Sequence, residues 1–283
     1  MNFLSVVDSN ARFLSSGTVR QLDPSGLSKV RSSIPKLLSV IPTLSNDDLS
    51  SLRSSLLKRI SIYPSLYSSC YNFIYLIDLL LELPVPSLND LVSVFNAIDS
   101  QIFSLDFIDK SSSSIIESIS NSNYDGVSLK SYSLSSDLQV ESAPLYNLFS
   151  PFLRTVISSY SIFTSLPTPY SLCSSFTGFT SYAATMGVGD KLSPHLHPNS
   201  VVVSTFYPLV ELQVAGDACL RFFLPTTSGK LLLSSISFSP KSGDIFCFPA
   251  WLYHDTSVLS SPGTRLCINS DAYFLQNNQP RLD

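Results

Sequence analysis

Near Phe176 the apolar residues of this 283-residue chain change their spacing, and that change restricts its fold more than any other feature. Ahead of that point they recur every three to four residues, as on one face of a helix. Beyond it they alternate with polar residues, as on a half-buried strand. Alternating stretches rich in β-branched and aromatic residues occupy about 200–210, 219–224, 230–238, 244–248, 252–259 and 265–274. Turn signals separate them: Gly187 and Gly189, Gly216–Asp217, Ser228–Gly229, Ser242–Gly243–Asp244 and Ser260–Ser261–Pro262–Gly263. Roughly six to eight short strands in so little chain fit a small antiparallel barrel or jelly roll.

The N-terminal part reads as helical. Ser45 precedes a stripe of Leu49, Leu52, Leu56, Leu57 and Ile60, with Asp47 and Asp48 in the first turn, where the helix dipole favours negative charge. Residues 65–83 form a second candidate. Ser87 opens a third, with Asp90 as capping partner and Leu91, Val94, Phe95 and Ile98 as its buried stripe. A fourth spans 145–166, with Pro151 in its first turns. Between them, the serine-rich segment 110–141 contains alternation over 127–134 that slips by one between Lys130 and Ser131, which predicts a bulged strand or two short ones. The expectation is an α+β chain, a helical region over 1–170 packed on a jelly-roll core over 171–283.

Composition removes several function classes. With 44% hydrophobic residues and 13% charged ones the chain can bury a large core. Serine makes up about a fifth of the residues, spread through helical and strand-like stretches alike, so few individual serines are informative. The net charge is -4 and no basic cluster could neutralise several phosphates, so no nucleic-acid partner is expected. Residues 1–10 lack a basic leader, and Asp78 and Glu82 interrupt the most apolar segment, so neither a secretory signal nor a membrane span is expected. Cys70, Cys173, Cys219, Cys247 and Cys267 form no CxxC pair and read as reduced, buried thiols of a cytoplasmic protein.

All three histidines lie in the β half. His195 and His197 stand in Pro194-His195-Leu196-His197-Pro198. In extended chain both imidazoles share a face, and their Cα atoms lie roughly 6–7 Å apart, close enough for one metal ion. The flanking prolines stiffen that geometry. His254 lies on a later strand, in Phe248-Pro249-Ala250-Trp251-Leu252-Tyr253-His254-Asp255, where alternation turns Asp255 away from it. Lone histidines are usually ordinary polar residues at strand edges. The HxH pair with the only other histidine instead points to a metal site, for which zinc is the default with three imidazoles.

Arg265 argues for more than zinc. A hairpin through 260–263 with a two- or four-residue loop sets Val258 opposite Arg265 and His254 opposite Asn269, which turns Arg265 and Asn269 to the His254 face. A guanidinium inside a barrel needs a carboxylate, and a diacid ligand brings one. The plainer alternative is a surface arginine at a strand start. Tyr207 shares the odd-numbered phase of the HxH pair and is either a donor to a bound carboxylate or a core tyrosine. Trp251 reads as packing beneath the strand entry.

The run from Gly189 to Ser200 with its H-x-H-P-x-S box, then Phe206-Tyr207, Ser242-Gly243-Asp244, the F-P-A-W-L-x-H box ending at His254, and Arg265 resemble the 2-oxoglutarate/Fe(II) oxygenases over roughly 181–274. The resemblance implies a double-stranded β-helix with His195 and His254 as Fe(II) ligands and Arg265 as the clamp for the distal carboxylate of 2-oxoglutarate. It also implies hydroxylation of an unknown substrate, coupled to decarboxylation of the co-substrate. His197 stands where the family has Asp or Glu, which leaves a ferrous centre one negative charge short. Asp271 stands where the family strand usually has Asn. Two other readings remain open: a three-histidine cupin-type thiol dioxygenase, and a non-catalytic jelly-roll interaction module with a structural metal. Neither GxSxG, GxGxxG nor HExxH occurs, and a Ser-His-Asp hydrolase would lack a base once the histidines hold metal.

Overall fold

The computed structural model describes residues 34–62, 67–96, 123–124, 127–133, 163, 165–171, 178–197, 200–231 and 234–273. After a helical stretch over 34–38 and a 3-10 turn, Ile41–Thr43, come two longer helices: α1, Asn46–Ile62, and α2, Tyr67–Leu80. In α1 the Ser45 hydroxyl accepts from Asp48 N at 3.2 Å, an N-cap that satisfies one orphan amide, and Leu49 and Leu56 face the core. In α2 the apolar residues Tyr67, Tyr71, Phe73, Ile74, Leu76 and Ile77 are all buried, so the helix runs through the interior. The charge that interrupts it, Asp78, is buried too. It is ion-paired with Arg53 of α1 and accepts from Tyr170 Oη at 3.0 Å, which locks the two helices together.

The expected third helix is short. Ser87 and Asp90 form the capping box, and the Ser87 hydroxyl and backbone amide hold the Asp90 carboxyl below its usual range. The helix α3 then covers only Leu88–Leu91. Instead of continuing, the chain becomes strand β1, Ser93–Asn96. Val94 is 45% exposed, so the predicted helical stripe does not form. The open edge of β9 offers these residues a ladder, and this tertiary pairing overrides the local helical spacing. The candidate helix over 145–166 lies almost wholly outside the described residues.

The β half supplies two antiparallel sheets. After β2, Asn123–Tyr124, and β3, Val127–Ser133, come β4 Gly178–Met186, β5 Leu192–His195, β6 Val202–Leu212, β7 Leu220–Leu224, β8 Ser234–Phe238, β9 Asp244–Pro249, β10 Tyr253–Thr256 and β11 Gly263–Tyr273. The large sheet has the order β1-β9-β6-β11-β4-β3-β2, and the small one β5-β10-β7-β8. The two inner faces enclose the core of a double-stranded β-helix. The large sheet therefore draws strands from both sides of residue 170. β3 pairs with β4 without interruption from Ser128↔Thr185 to Ser133↔Thr180, so the expected slip at Lys130/Ser131 is absent.

The helices meet the barrel at Trp251. Its fully buried ring lies 5.9–6.1 Å, centroid to centroid, from Tyr71, Tyr75 and Tyr170, and its carbonyl accepts from Asn72 Nδ2. A second junction is the turn after β7, where a Cβ on Gly229 would come within 2.4 Å of the Leu38 carbonyl oxygen. Cys70, Cys219, Cys247 and Cys267 are free thiols, and burial pushes that of Cys70 up to about 12. Among the described residues no helix is long and apolar enough to cross a membrane.

Candidate metal centre

The small sheet brings two histidines together directly. His254 on β10 is the cross-strand partner of His195 on β5, and their ring centroids are 4.3 Å apart. His197 lies just past β5, where its amide donates to Ala250 O at 3.1 Å and returns the chain toward β10. Its ring stacks on His254 with centroids 5.0 Å apart. Phe248 and Phe222 wall the far side of the His254 ring, at 4.7 and 6.0 Å. One ring nitrogen from each histidine lies within 4.8 Å of the other two.

The second ring nitrogens each face an oxygen acceptor. His195 Nδ1 is 2.8 Å from Ser193 O and His254 Nδ1 is 3.0 Å from Leu252 O, while His197 Nδ1 is 3.0 Å from Asp271 Oδ2. Carbonyl and carboxylate oxygens only accept, so each Nδ1 carries a proton, and in the neutral rings each Nε2 keeps its lone pair. The Nε2 atoms of His197 and His254 face each other at 3.1 Å. Two lone pairs at that separation repel unless a proton or a metal ion lies between them. Neighbouring ligands about 2.1 Å from one ion are separated by about 3 Å. The donor set therefore fits a divalent ion.

Arg265 reaches this pocket, though not through the expected hairpin. β10 and β11 belong to different sheets, and the chain between them crosses from one to the other, so neither Arg265 nor Asn269 opposes a residue of the His254 strand. Arg265 instead pairs with Met186 of β4 and Val210 of β6. Alternation within β11 still carries Arg265, Cys267 and Asn269 inward, where they line one pocket together with all three histidines, Thr205 and Tyr207. The crossing is tied down by Asp217, whose carboxylate accepts from the hydroxyls and amides of Ser260 and Ser261 and is held below its usual range by them.

The guanidinium is 1% exposed and has no carboxylate partner among the described residues. Nη2 donates to Tyr207 Oη at 2.8 Å, Nη1 faces the sulfurs of Met186 and Cys267 at 3.2 and 3.8 Å, and Nε has no partner. The cation also sits 4.8 Å from the Tyr207 ring centroid. Burial pushes the Tyr207 phenol well above the tyrosine range, against the pull of Arg265. The phenol thus keeps its proton and can donate it. β6 has a register shift beside this tyrosine, between the pairs Leu266↔Leu209 and Ile268↔Phe206, and Pro208 occupies the irregularity, where no ladder amide is needed.

Asn269 also lies in the pocket, its Oδ1 accepting from Thr205 Oγ1 at 2.6 Å. Asp255 points away from the histidines and forms a two-pronged ion pair with Arg221. The partner of His197, Asp271, went unread as such in the sequence. Its odd-numbered phase, shared with Arg265 and Asn269, is the signal that places it on the inner face.

Residues 180–271 match a family model described as "Putative 2OG-Fe(II) oxygenase". No curated protein matches the sequence. Among solved structures, the chain is similar to a prolyl hydroxylase from Trichoplax adhaerens crystallised with a hypoxia-inducible-factor peptide, at 11% identity and a TM-score of 0.48 over 75% of this chain and 95% of that one. A prolyl-4-hydroxylase from Pseudomonas putida aligns at 14% identity and 0.45, over 65% and 92%. HygX from Streptomyces hygroscopicus, with nickel and 2-oxoglutarate bound, aligns at 12% and 0.43, over 67% and 85%.

Proposed function

From a β half whose residues 180–271 match the 2OG-Fe(II) oxygenases, we propose that this protein is a 2-oxoglutarate- and Fe(II)-dependent dioxygenase of the hydroxylase type. His195, His197 and His254 would hold the iron through Nε2, and Arg265 with Tyr207 would seat the distal carboxylate of 2-oxoglutarate. The observation that carries this reading is the buried guanidinium, without a carboxylate partner among the described residues, in the same pocket as three converging imidazoles. A three-histidine metal site by itself has no use for such a cation. A diacid that chelates the metal at one end has a second carboxylate for it.

When bound, the iron would supply the oxygen chemistry, in which O₂, 2-oxoglutarate and a substrate C–H bond give succinate, CO₂ and the hydroxylated substrate. The chain's own residues do the rest. Arg265 presents a fixed fork of donors, and Tyr207, neutral through burial, adds an O–H to the same carboxylate. The Nδ1 contacts hold three rings in orientation before any ligand arrives, so binding need not pay for ordering them. Leu192 and Leu220 close the pocket with apolar surface and limit water around the reacting centre.

The test is oxygen uptake and succinate formation by the Fe(II)-loaded protein on addition of 2-oxoglutarate, with His254→Ala as control. The expected result is slow uncoupled turnover by wild type, and neither turnover nor stoichiometric metal binding by the variant. Zinc retained by wild type with no 2-oxoglutarate binding would instead favour a structural metal site, and oxidation of a thiol without succinate would favour a cupin-type thiol dioxygenase.

A further inference from the structure

The pocket has an unbalanced charge. Among the described residues no carboxylate lines it, while Arg265 contributes +1 and a divalent ion would add +2. A bound 2-oxoglutarate dianion leaves the cluster one positive charge in excess. A negative charge lies behind one of the three imidazoles. His197 Nδ1 lies 2.8 Å from Asp271 Oδ1 and 3.0 Å from Oδ2, whereas His195 and His254 give Nδ1 to neutral backbone carbonyls. The Asp271 side chain is 20% exposed and His197 only 7%, so the ion pair is mostly shielded from water. Its position is fixed by the large sheet, since Asp271 pairs with Thr180 of β4 and Val203 of β6. Next to it, Val201 N donates to Ala272 O at 2.7 Å and anchors the segment that leads from His197 into β6.

We propose that Asp271 is a positioning residue that acts through His197, holding its ring as the Nδ1–H tautomer and delivering across it the negative charge that a directly bound carboxylate would give the metal. This inference rests on the metal site proposed above. A carboxylate accepting from Nδ1–H makes Nε2 a stronger donor and fixes the direction of its lone pair. His197 receives this support from a charged group. The substitution of an imidazole at position 197 is thereby offset from β11, a strand of the opposite sheet.

The experiment uses the full chain, Zn(II) and Fe(II). Competition titration with Zn(II) should show Asp271→Asn, which keeps the shape and loses the charge, binding about 10- to 100-fold more weakly than wild type. The Fe(III)/Fe(II) potential should move positive in Asp271→Asn, a shift that a merely structural hydrogen bond would not give. Should the variant fold poorly, ¹⁵N spectra of Zn-loaded wild type suffice, and should show His197 protonated at Nδ1 and metallated at Nε2. Wild-type affinity and an unmoved potential in Asp271→Asn, or a His197 ring metallated at Nδ1, would overturn the inference alone. Failure of wild type to bind either metal would remove the metal site and this inference with it.

Discussion

Replacing Arg265 with methionine should separate what the residue does for the ligand from what it does for the fold. The guanidinium is 1% exposed, and its one short hydrogen bond to oxygen is the 2.8 Å contact to Tyr207; the remaining N–H groups face sulfur, a hydroxyl at 3.5 Å, or nothing. A docked carboxylate would add two charge-assisted hydrogen bonds, each with a net value of about 1.5–3 kcal/mol. Loss of that pair, less the desolvation of the ligand, should weaken 2-oxoglutarate binding by about 2–4 kcal/mol, or roughly 30- to 1000-fold. The effect on the ligand-free protein has the opposite sign. Methionine fills similar volume without a buried, unneutralised charge, and such exchanges are neutral or stabilising by about 1–4 kcal/mol. The thermal midpoint of apo Arg265→Met should therefore equal or exceed that of wild type, while calorimetric titration into metal-loaded protein finds 2-oxoglutarate binding lost. Arg265→Lys should recover only part of the affinity, because a point charge cannot reproduce the fork. A lower midpoint together with unchanged 2-oxoglutarate affinity would refute the reasoning, since Arg265 would then be a structural residue.

Burial raises Tyr75 to about 12, and Tyr170 and Tyr207 above the ordinary tyrosine range. Above pH ~10 the unfolded chain releases these phenolic protons while the folded one retains them, so stability should fall as pH rises past that point, in denaturant titrations at pH 8 to 11. A flat profile there would show the phenols to be solvated. Gly229→Ala, which demands a side chain at φ +72° and a Cβ 2.4 Å from Leu38 O, should lower the denaturation midpoint by separating the turn after β7 from residues 38–39. Trp251, the single tryptophan, reports the junction of helices and barrel by fluorescence, and its emission should shift to the red in this variant if the helices loosen from the barrel.

Much of this architecture is legible without coordinates, because it depends on local patterns. Period two marks β6 to β11 to within a few residues, since alternation along one strand needs no knowledge of its neighbours. The same locality turns Arg265 and Asn269 inward beside His195, His197 and His254. The capping box at Ser87 is likewise a four-residue statement, and it forms. The element beyond that box is set by a distant strand. Residues 93–96 have the spacing of a helix, but the open edge of β9 offers them a ladder from Ser93↔Cys247 to Asn96↔Asp244, and tertiary pairing overrides propensity. Strand partnership is hidden for the same reason. A short connection after β10 reads as a hairpin, yet it crosses between sheets, with Asp217 reaching over from the loop between β6 and β7 to hold it. Which side chains face inward is therefore written into the chain itself, because alternation is a property of single strands. Which of them meet is written only in the assembled sheets, where His254 lies against His195 and Asp271 behind His197. Sheet order joins residues far apart in the chain, and no spacing along the chain records it.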